Sequence, residues 1–262
     1  HRIRKRGGMD SRIFQIGSRA LVLIACLALA TPGEVIAQGG DGFLFKEPTV
    51  TLKLESGFGF QKASSDIYDF LRAEQTIGER DFDSPYIGGE LGVRLSNQID
   101  IAIAVGYQGS STASELRDWV DLDDLPITQV TELQQIPVTA SLKFYPFGRG
   151  RSLGRFAWVP QTISPFIGAG VGVISYDLRL HGDFVDYETY DIFYDTLSLD
   201  GEDDAFLARA SAGFNISFSN QFLFTIEGRY GWSDGDLDGD FIGFEQIDLD
   251  GLQLIGGLAV RF

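Results

Sequence analysis

The sequence predicts an all-β protein: an eight-stranded antiparallel up-and-down transmembrane β-barrel. Three observations carry this expectation. About eight segments of roughly 9–11 residues, enough to cross a bilayer when tilted, set apolar side chains at every second position with small or polar ones between. Alternate positions on a strand face opposite sides of a sheet, so each segment has one greasy face. The connections are by turns short and long, as in barrels with tight turns at one end and loops at the other. Finally, the chain stops on an apolar strand, Leu252, Leu254, Leu258, Val260 and Phe262 in one register and Gly251, Gln253, Gly257, Ala259 and Arg261 in the other. In water such an edge would invite aggregation. Paired on both edges in a closed barrel, with its greasy face to hydrocarbon, it would not.

The first expected strand, 50–61, puts Val50, Leu52, Leu54, Phe58 and Phe60 on one face and Thr51, Lys53, Glu55, Gly57, Gly59 and Gln61 on the other. Residues 62–84 read as polar and irregular. The second strand turns Ile87, Leu91, Val93 and Leu95 outward and Gly88, Glu90, Gly92 and Arg94 inward. Ser96-Asn97-Gln98 is a tight turn. The third strand then faces Ile99, Ile101, Ile103, Val105 and Tyr107 out, and Asp100, Ala102, Ala104, Gly106 and Gln108 in.

Residues 109–132 read as a long acidic connection. Strand four returns with Ile136, Val138, Ala140, Leu142 and Phe144 outward and Thr139, Ser141, Lys143 and Tyr145 inward. Pro137 has no N–H for the ladder and is expected near the rim. A longer turn over 148–164 contains Arg149, Arg151 and Arg155. Strand five, 165–173, alternates glycine with apolar residues. Residues 177–205 read as a long loop with Asp200, Glu202, Asp203 and Asp204 clustered. Strand six carries Arg209 among its inward positions; after the Ser219-Asn220-Gln221 turn, strand seven carries Thr225, Glu227, Arg229 and Gly231 inward. Residues 233–246 are a last acidic loop before the terminal strand. No 20-residue apolar helix competes with this reading.

The start of the chain reads as an export signal over 1–37. Six Lys/Arg precede the apolar run 20–30, Pro32 and Gly33 break it, and Val35-Ile36-Ala37 offers a small-residue cleavage site. The only methionine, Met9, suggests that translation starts there. Residues 38–48 then form a short periplasmic lead, and 49–262 the barrel domain. Cys26, the only cysteine, lies within the signal, so no disulfide is expected. Beyond residue 37 the chain holds 15 basic and 35 acidic groups. A phosphate backbone would be repelled, which argues against nucleic acid as a partner.

The segments 136–145 and 165–172, with the tail Gly257, Leu258, Val260 and Phe262, resemble the small outer-membrane β-barrel family, the OmpA-like, OmpW-like and opacity-protein group. The resemblance covers roughly residues 47–262. It implies the outer membrane of a Gram-negative-type bacterium, contact with membrane lipid and lipopolysaccharide, and delivery to the barrel-assembly machinery through the C-terminal strand. With the terminal strand at 251–262, no peptidoglycan-binding domain is expected after the barrel, and cell-wall anchoring is not expected to carry over.

The inward register gathers Lys53, Arg94, Lys143, Arg209, Arg229 and Arg261 against Glu55, Glu90, Asp100 and Glu227. An eight-stranded barrel is just wide enough for side chains to fill, and isolated buried charges are costly. Opposite charges are therefore expected to pair and plug the interior. The role expected is non-enzymatic: envelope integrity, or surface interaction with an unknown ligand through the acidic loops. A passive channel for small or hydrophobic solutes is the alternative, and a lipid A-modifying enzyme a weaker one, since His181 has no nucleophile near it in sequence. No cofactor is required. One motif points to calcium: Asp234, Asp236, Asp238, Asp240 and Glu245 follow the D-x-D-x-D-G-x5-E spacing, with Gly239 for the sharp turn. Strands rather than helices flank it, and a solvated acidic hairpin is the other reading.

Overall fold

A computed structural model describes residues 47–121, 123–153, 157–185, 192–237, 239–241 and 243–262, with backbone alone at 194–197. The expected signal and most of the lead lie outside these residues. In chain order the strands are β1 (Val50–Gln61), β2 (Ser84–Arg94), β3 (Ile99–Val120), β4 (Pro126–Phe144), β5 (Gly150–Leu153), β6 (Ala157–Pro160), β7 (Ile163–Val185), β8 (Ile192–Ser217), β9 (Phe222–Trp232), β10 (Asp234–Asp236), β11 (Gln246–Asp248) and β12 (Gly251–Arg261). One helix, α1 (Asp66–Glu74), follows β1.

Eight of these strands close a single antiparallel barrel in the order β1-β12-β9-β8-β7-β4-β3-β2. The seam joins the first strand to the last, with Leu54 opposite Leu258 and Thr51 opposite Arg261. The Phe262 N–H donates to the Val50 carbonyl at 2.8 Å. No edge is left in the ring, as the terminal strand requires. Along the belt the outward side chains are large, apolar and exposed, among them Leu54, Ile103, Leu142, Ile167, Phe206 and Leu258. The inward row holds Lys53, Lys143, Arg229 and Arg261, each at most 4% exposed. The chain is thus an inside-out barrel, apolar to its surroundings and polar within. In water that belt would be untenable; in hydrocarbon it is required.

Four strands correct the expectation of 9–11 residues. β3, β4, β7 and β8 run for 22, 19, 23 and 26 residues. The stretches read as loops at 109–132 and 177–205 are mostly the continuation of these strands. The cause is a reversal of polarity. On β7, Ile167, Ala169, Val171 and Val173 face outward with glycines between them. From Ile174 on, the apolar residues are the inward ones, Ile174, Tyr176, Leu178 and Leu180, while Ser175, Asp177, Arg179 and His181 take the outward row. β8 reverses at the same level: Phe206 is outward and exposed, while Leu207 and Ala205 are buried and Asp204 and Glu202 lie outside. The backbone ladder continues unbroken through the change, Val173 opposite Phe206 and Tyr176 opposite Asp203.

Above this level the inward apolar residues form an ordinary core. Leu133, Ile174, Tyr176, Leu178, Leu180 and Leu207 pack with Ile67, Tyr68 and Leu71 of α1, with Ile77 and Phe82, and with Leu237, Phe241, Ile247 and Leu249. Residues 62–84, read as irregular, therefore contain an amphipathic helix that covers the barrel. Asp66 and Asp69 in its first turn favour the helix N-terminus. Tyr68 meets the Phe82 ring edge-on at 4.7 Å. The acidic stretch 233–246 adds the β10–β11 ribbon and a 3-10 turn at Gly239–Phe241. Gly239 has φ +71, and a side chain there would strike the Asp200 carbonyl, so glycine is required for this turn to approach β8.

The opposite end is closed too. The turn expected over 148–164 contains the β5–β6 hairpin, and its Trp158 is 3% exposed.

Candidate functional site in the barrel interior

Three carboxylates and three cations interlock at mid-height. Lys53 lies directly across from Glu90 on the β1–β2 ladder, and β4, β9 and β1 bring the others to the same level. Lys53 Nζ stands 2.7 Å from Glu55, 3.0 Å from Glu90 and 3.1 Å from Glu227. Lys143 Nζ reaches Glu90 at 2.7 Å and Glu227 at 3.1 Å. Arg229 donates to both oxygens of Glu55, at 2.5 and 2.8 Å, and through Nε to Glu227 at 2.8 Å. Tyr86 donates to Glu55 at 3.3 Å. Its ring fills the space over Gly106, where a Cβ would collide with it.

Formal charge in this group sums to zero. Each ion is desolvated, and each is compensated by at least two partners, the condition under which burial of charge is tolerated. Oxygens of Glu55, Glu90 and Glu227 lie within 4.8 Å of one another, close enough for a metal ion. The two ammonium groups and the guanidinium already occupy that role, so the carboxylates are satisfied without one.

Above the ions sits a layer of amides. Gln135 donates to Gln61 at 3.3 Å and Gln253 to Gln108 at 2.9 Å. Higher still, Gln75 donates to Gln129 at 2.6 Å and accepts from Ser114 at 2.8 Å. Cavities between the layers measure about 20 Å3 beside Gln61 and Gln135, about 10 Å3 beside Arg209 and Arg229, and about 20 Å3 beside Arg149 and Arg261. Each is room for about one water molecule.

All ten sequence-derived interior charges point inward, but their partners differ from expectation. Asp100 pairs with neither Arg94 nor Lys143, its ladder neighbours. It is taken by Arg149 at 2.6 Å, a residue assigned to a turn by its sequence. Arg94 pairs with Glu47 from the lead. Six cations against four carboxylates leave two of the ten without an opposite charge. Among the described residues the side-chain hydrogen bond of Arg209 is to Thr139 Oγ1 at 3.4 Å, and that of Arg261 to Ser217 Oγ at 3.1 Å. Inward parity alone would have found the glutamine layer; no sequence signal marks Arg149 or Trp158.

The aspartate-rich loop is spread along several elements. Asp234 and Asp236 lie on β10, Asp236 accepting from Gln246 at 3.0 Å. Asp240 accepts from the Asp200 N–H at 3.3 Å. The Glu245 N–H donates to Asp66 at 2.9 Å. Asp238 lies outside the described residues, and no three of the others bring carboxylate oxygens together. His181 lies on β7 across from Ser198 of β8.

Closed ring, apolar belt and charged interior together define an eight-stranded antiparallel transmembrane β-barrel. The chain aligns with several solved structures. The crystal structure of Neisserial surface protein A shares 11% identity over 81% of this chain and 97% of its own, with a TM-score of 0.44. The N-terminal β-barrel domain of Pseudomonas aeruginosa OprF shares 11% over 82% and 100%, with a TM-score of 0.39. The E. coli outer membrane protein W shares 11% over 83% and 100%, with a TM-score of 0.37. No family model and no curated protein sequence matches the chain.

Proposed function

We propose that the chain is a non-conducting outer-membrane barrel that acts through its loop end, in surface interaction or envelope integrity, with lipid and lipopolysaccharide around it. The observation that carries this reading is the division of the interior. Three stacked layers, the ion cluster, the glutamines and the apolar core beneath α1, fill the space a solute would cross. The same four strands that complete the barrel continue as a folded platform beyond the belt. Barrels of this class carry short turns on the periplasmic side and longer loops outside, which supports a platform on the cell surface. Leu258 and Phe262, exposed on the seam strand, with Gly257 and Val260, form the signal offered to the assembly machinery. Calcium held by Asp234, Asp236, Asp238, Asp240 and Glu245 is a lesser part of the proposal, requiring Asp236 to leave Gln246.

The purified protein in planar bilayers is the test. No resolved conductance steps are expected at moderate voltage. Stable open-channel steps, abolished by bulky substitutions in the glutamine layer, would establish the passive-channel reading instead.

A further inference from the structure

We infer that the turn end of the barrel binds a single monatomic anion, chloride, at Arg261 and Arg149 beneath the β5–β6 hairpin. The first argument is an imbalance of hydrogen-bonding groups. Arg94 Nη1, Arg149 Nε, Trp158 Nε1 and Arg261 Nη2 are buried donors with no acceptor among the described residues. Only one buried acceptor nearby, Asp100 Oδ1, is likewise unmatched, and the Ser164 hydroxyl can serve either way. Four nitrogen donors against one oxygen is a site short of acceptors, and orphaned buried donors are costly.

Charge gives the second argument. Lys53 and Lys143 are neutralised within the ion cluster, Arg149 by Asp100, and Arg94 by Glu47. Arg261 is 3% exposed and has no carboxylate partner among the described residues. Its Cζ lies 5.7 Å from the centre of the Trp158 ring, and Arg94 Cζ lies 5.8 Å from the same ring. Those contacts help, but a ring quadrupole does not cancel a buried unit charge. One positive charge is left over, which one monoanion matches.

Size then selects among anions. Arg149 and Arg261 line a cavity of about 20 Å3. That holds one water-sized occupant; a halide fits, while phosphate or sulfate does not. Asp100 and Glu90 also line it, so the anion must lie toward the arginines, where the unmatched donors are. A bound halide would tie β12 to the hairpin segment and hold the turn end shut.

Crystals of the native protein soaked in sodium bromide and measured at the bromine edge test the site. An anomalous peak beside Arg261 and Arg149 is expected, weakened when excess chloride competes with the bromide and kept when phosphate is added instead. Thermal unfolding in detergent at constant ionic strength gives a second readout. Exchanging gluconate for chloride should raise the native midpoint. Arg261→Gln should lose that increment, with halide binding weakened about tenfold or more, while Lys62→Gln at the loop end keeps it. Water in place of bromide, or an equal chloride response in Arg261→Gln, would overturn the inference; the bromide result stands on native protein alone should the variant fail to fold.

Discussion

Two stretches of the same strands solve opposite problems. On β7, residues up to Val173 keep bulk outside and glycine inside; residues from Ile174 keep bulk inside and charge outside. Below the reversal the surroundings are apolar, so the chain must hide its ions and finds partners for them in Glu55, Glu90 and Glu227. Above it the surroundings are water, so the chain hides Leu178, Leu180 and Leu207 beneath α1. The backbone ladder is indifferent to the change. A strand carries pairing, and the solvent on each side decides which residues fill which face.

The comparison can be broken most forcefully at the ions. Glu227→Leu would leave Lys53, Lys143 and Arg229 sharing two carboxylates. The loss of one partner from a buried ionic group costs about 3–5 kcal/mol. The urea midpoint of the barrel in lipid vesicles should fall accordingly, and an unchanged midpoint would mean that water reaches the cluster. In the upper core, Leu71→Ala should cost about 2–5 kcal/mol, yet only locally. Amide exchange should rise over 62–83 while the barrel's own unfolding is unmoved; a matching loss in the barrel would show the two cores to be one unit.

The boundary itself is tested on β4. Leu142 faces outward in the belt, and Gln134 takes the outward row beyond it. Leu142→Arg should cost about 2–4 kcal/mol and Gln134→Arg about 0–1 kcal/mol, both read from reversible unfolding in bilayers. Equal costs would erase the proposed level.

The smallest effect concerns Asp177, on the outward row above the belt. Burial pushes its carboxyl up to about 6, against the pull of Arg179. Its unfolded value is about 3.9. The folded state therefore holds the proton more firmly between those values, and stability falls as pH rises through that window. Asp177→Asn should exceed the native protein by about 1–2 kcal/mol above pH 6, with the gap closing below about pH 4. Arg179 retains Asp200 at 2.7 Å, so it is not left orphaned. A gap independent of pH would assign the effect to something other than the carboxyl's proton.

Most of the barrel was legible because hydrocarbon demands a strict period of two, and Leu54, Ile103, Leu142 and Leu258 keep to it. Lys53, Glu90, Lys143, Glu227 and Arg229 followed by parity. The platform was not legible, because at Ile174 the apolar row changes face, and a break in outward alternation looks the same as the start of a loop. Glu115, Glu132 and Asp200 strengthened that impression, although they stand on the outward side of strands. Arg149 escaped for another reason: it lies on no barrel strand, and only the path of the turn carries it to Asp100.

The continuation of β7 from Ile174 to Val185 has a consequence in height. Twelve residues at about 3.3 Å each, tilted by about 40°, rise roughly 30 Å. β8, β4 and β3 rise beside it, so the far ends of the described strands, Val185 and Ile192 among them, stand on a paired sheet. The height of this sheet is set by strand length, so shortening β7 and β8 by a matched pair of residues would lower it by a fixed step of about 5 Å.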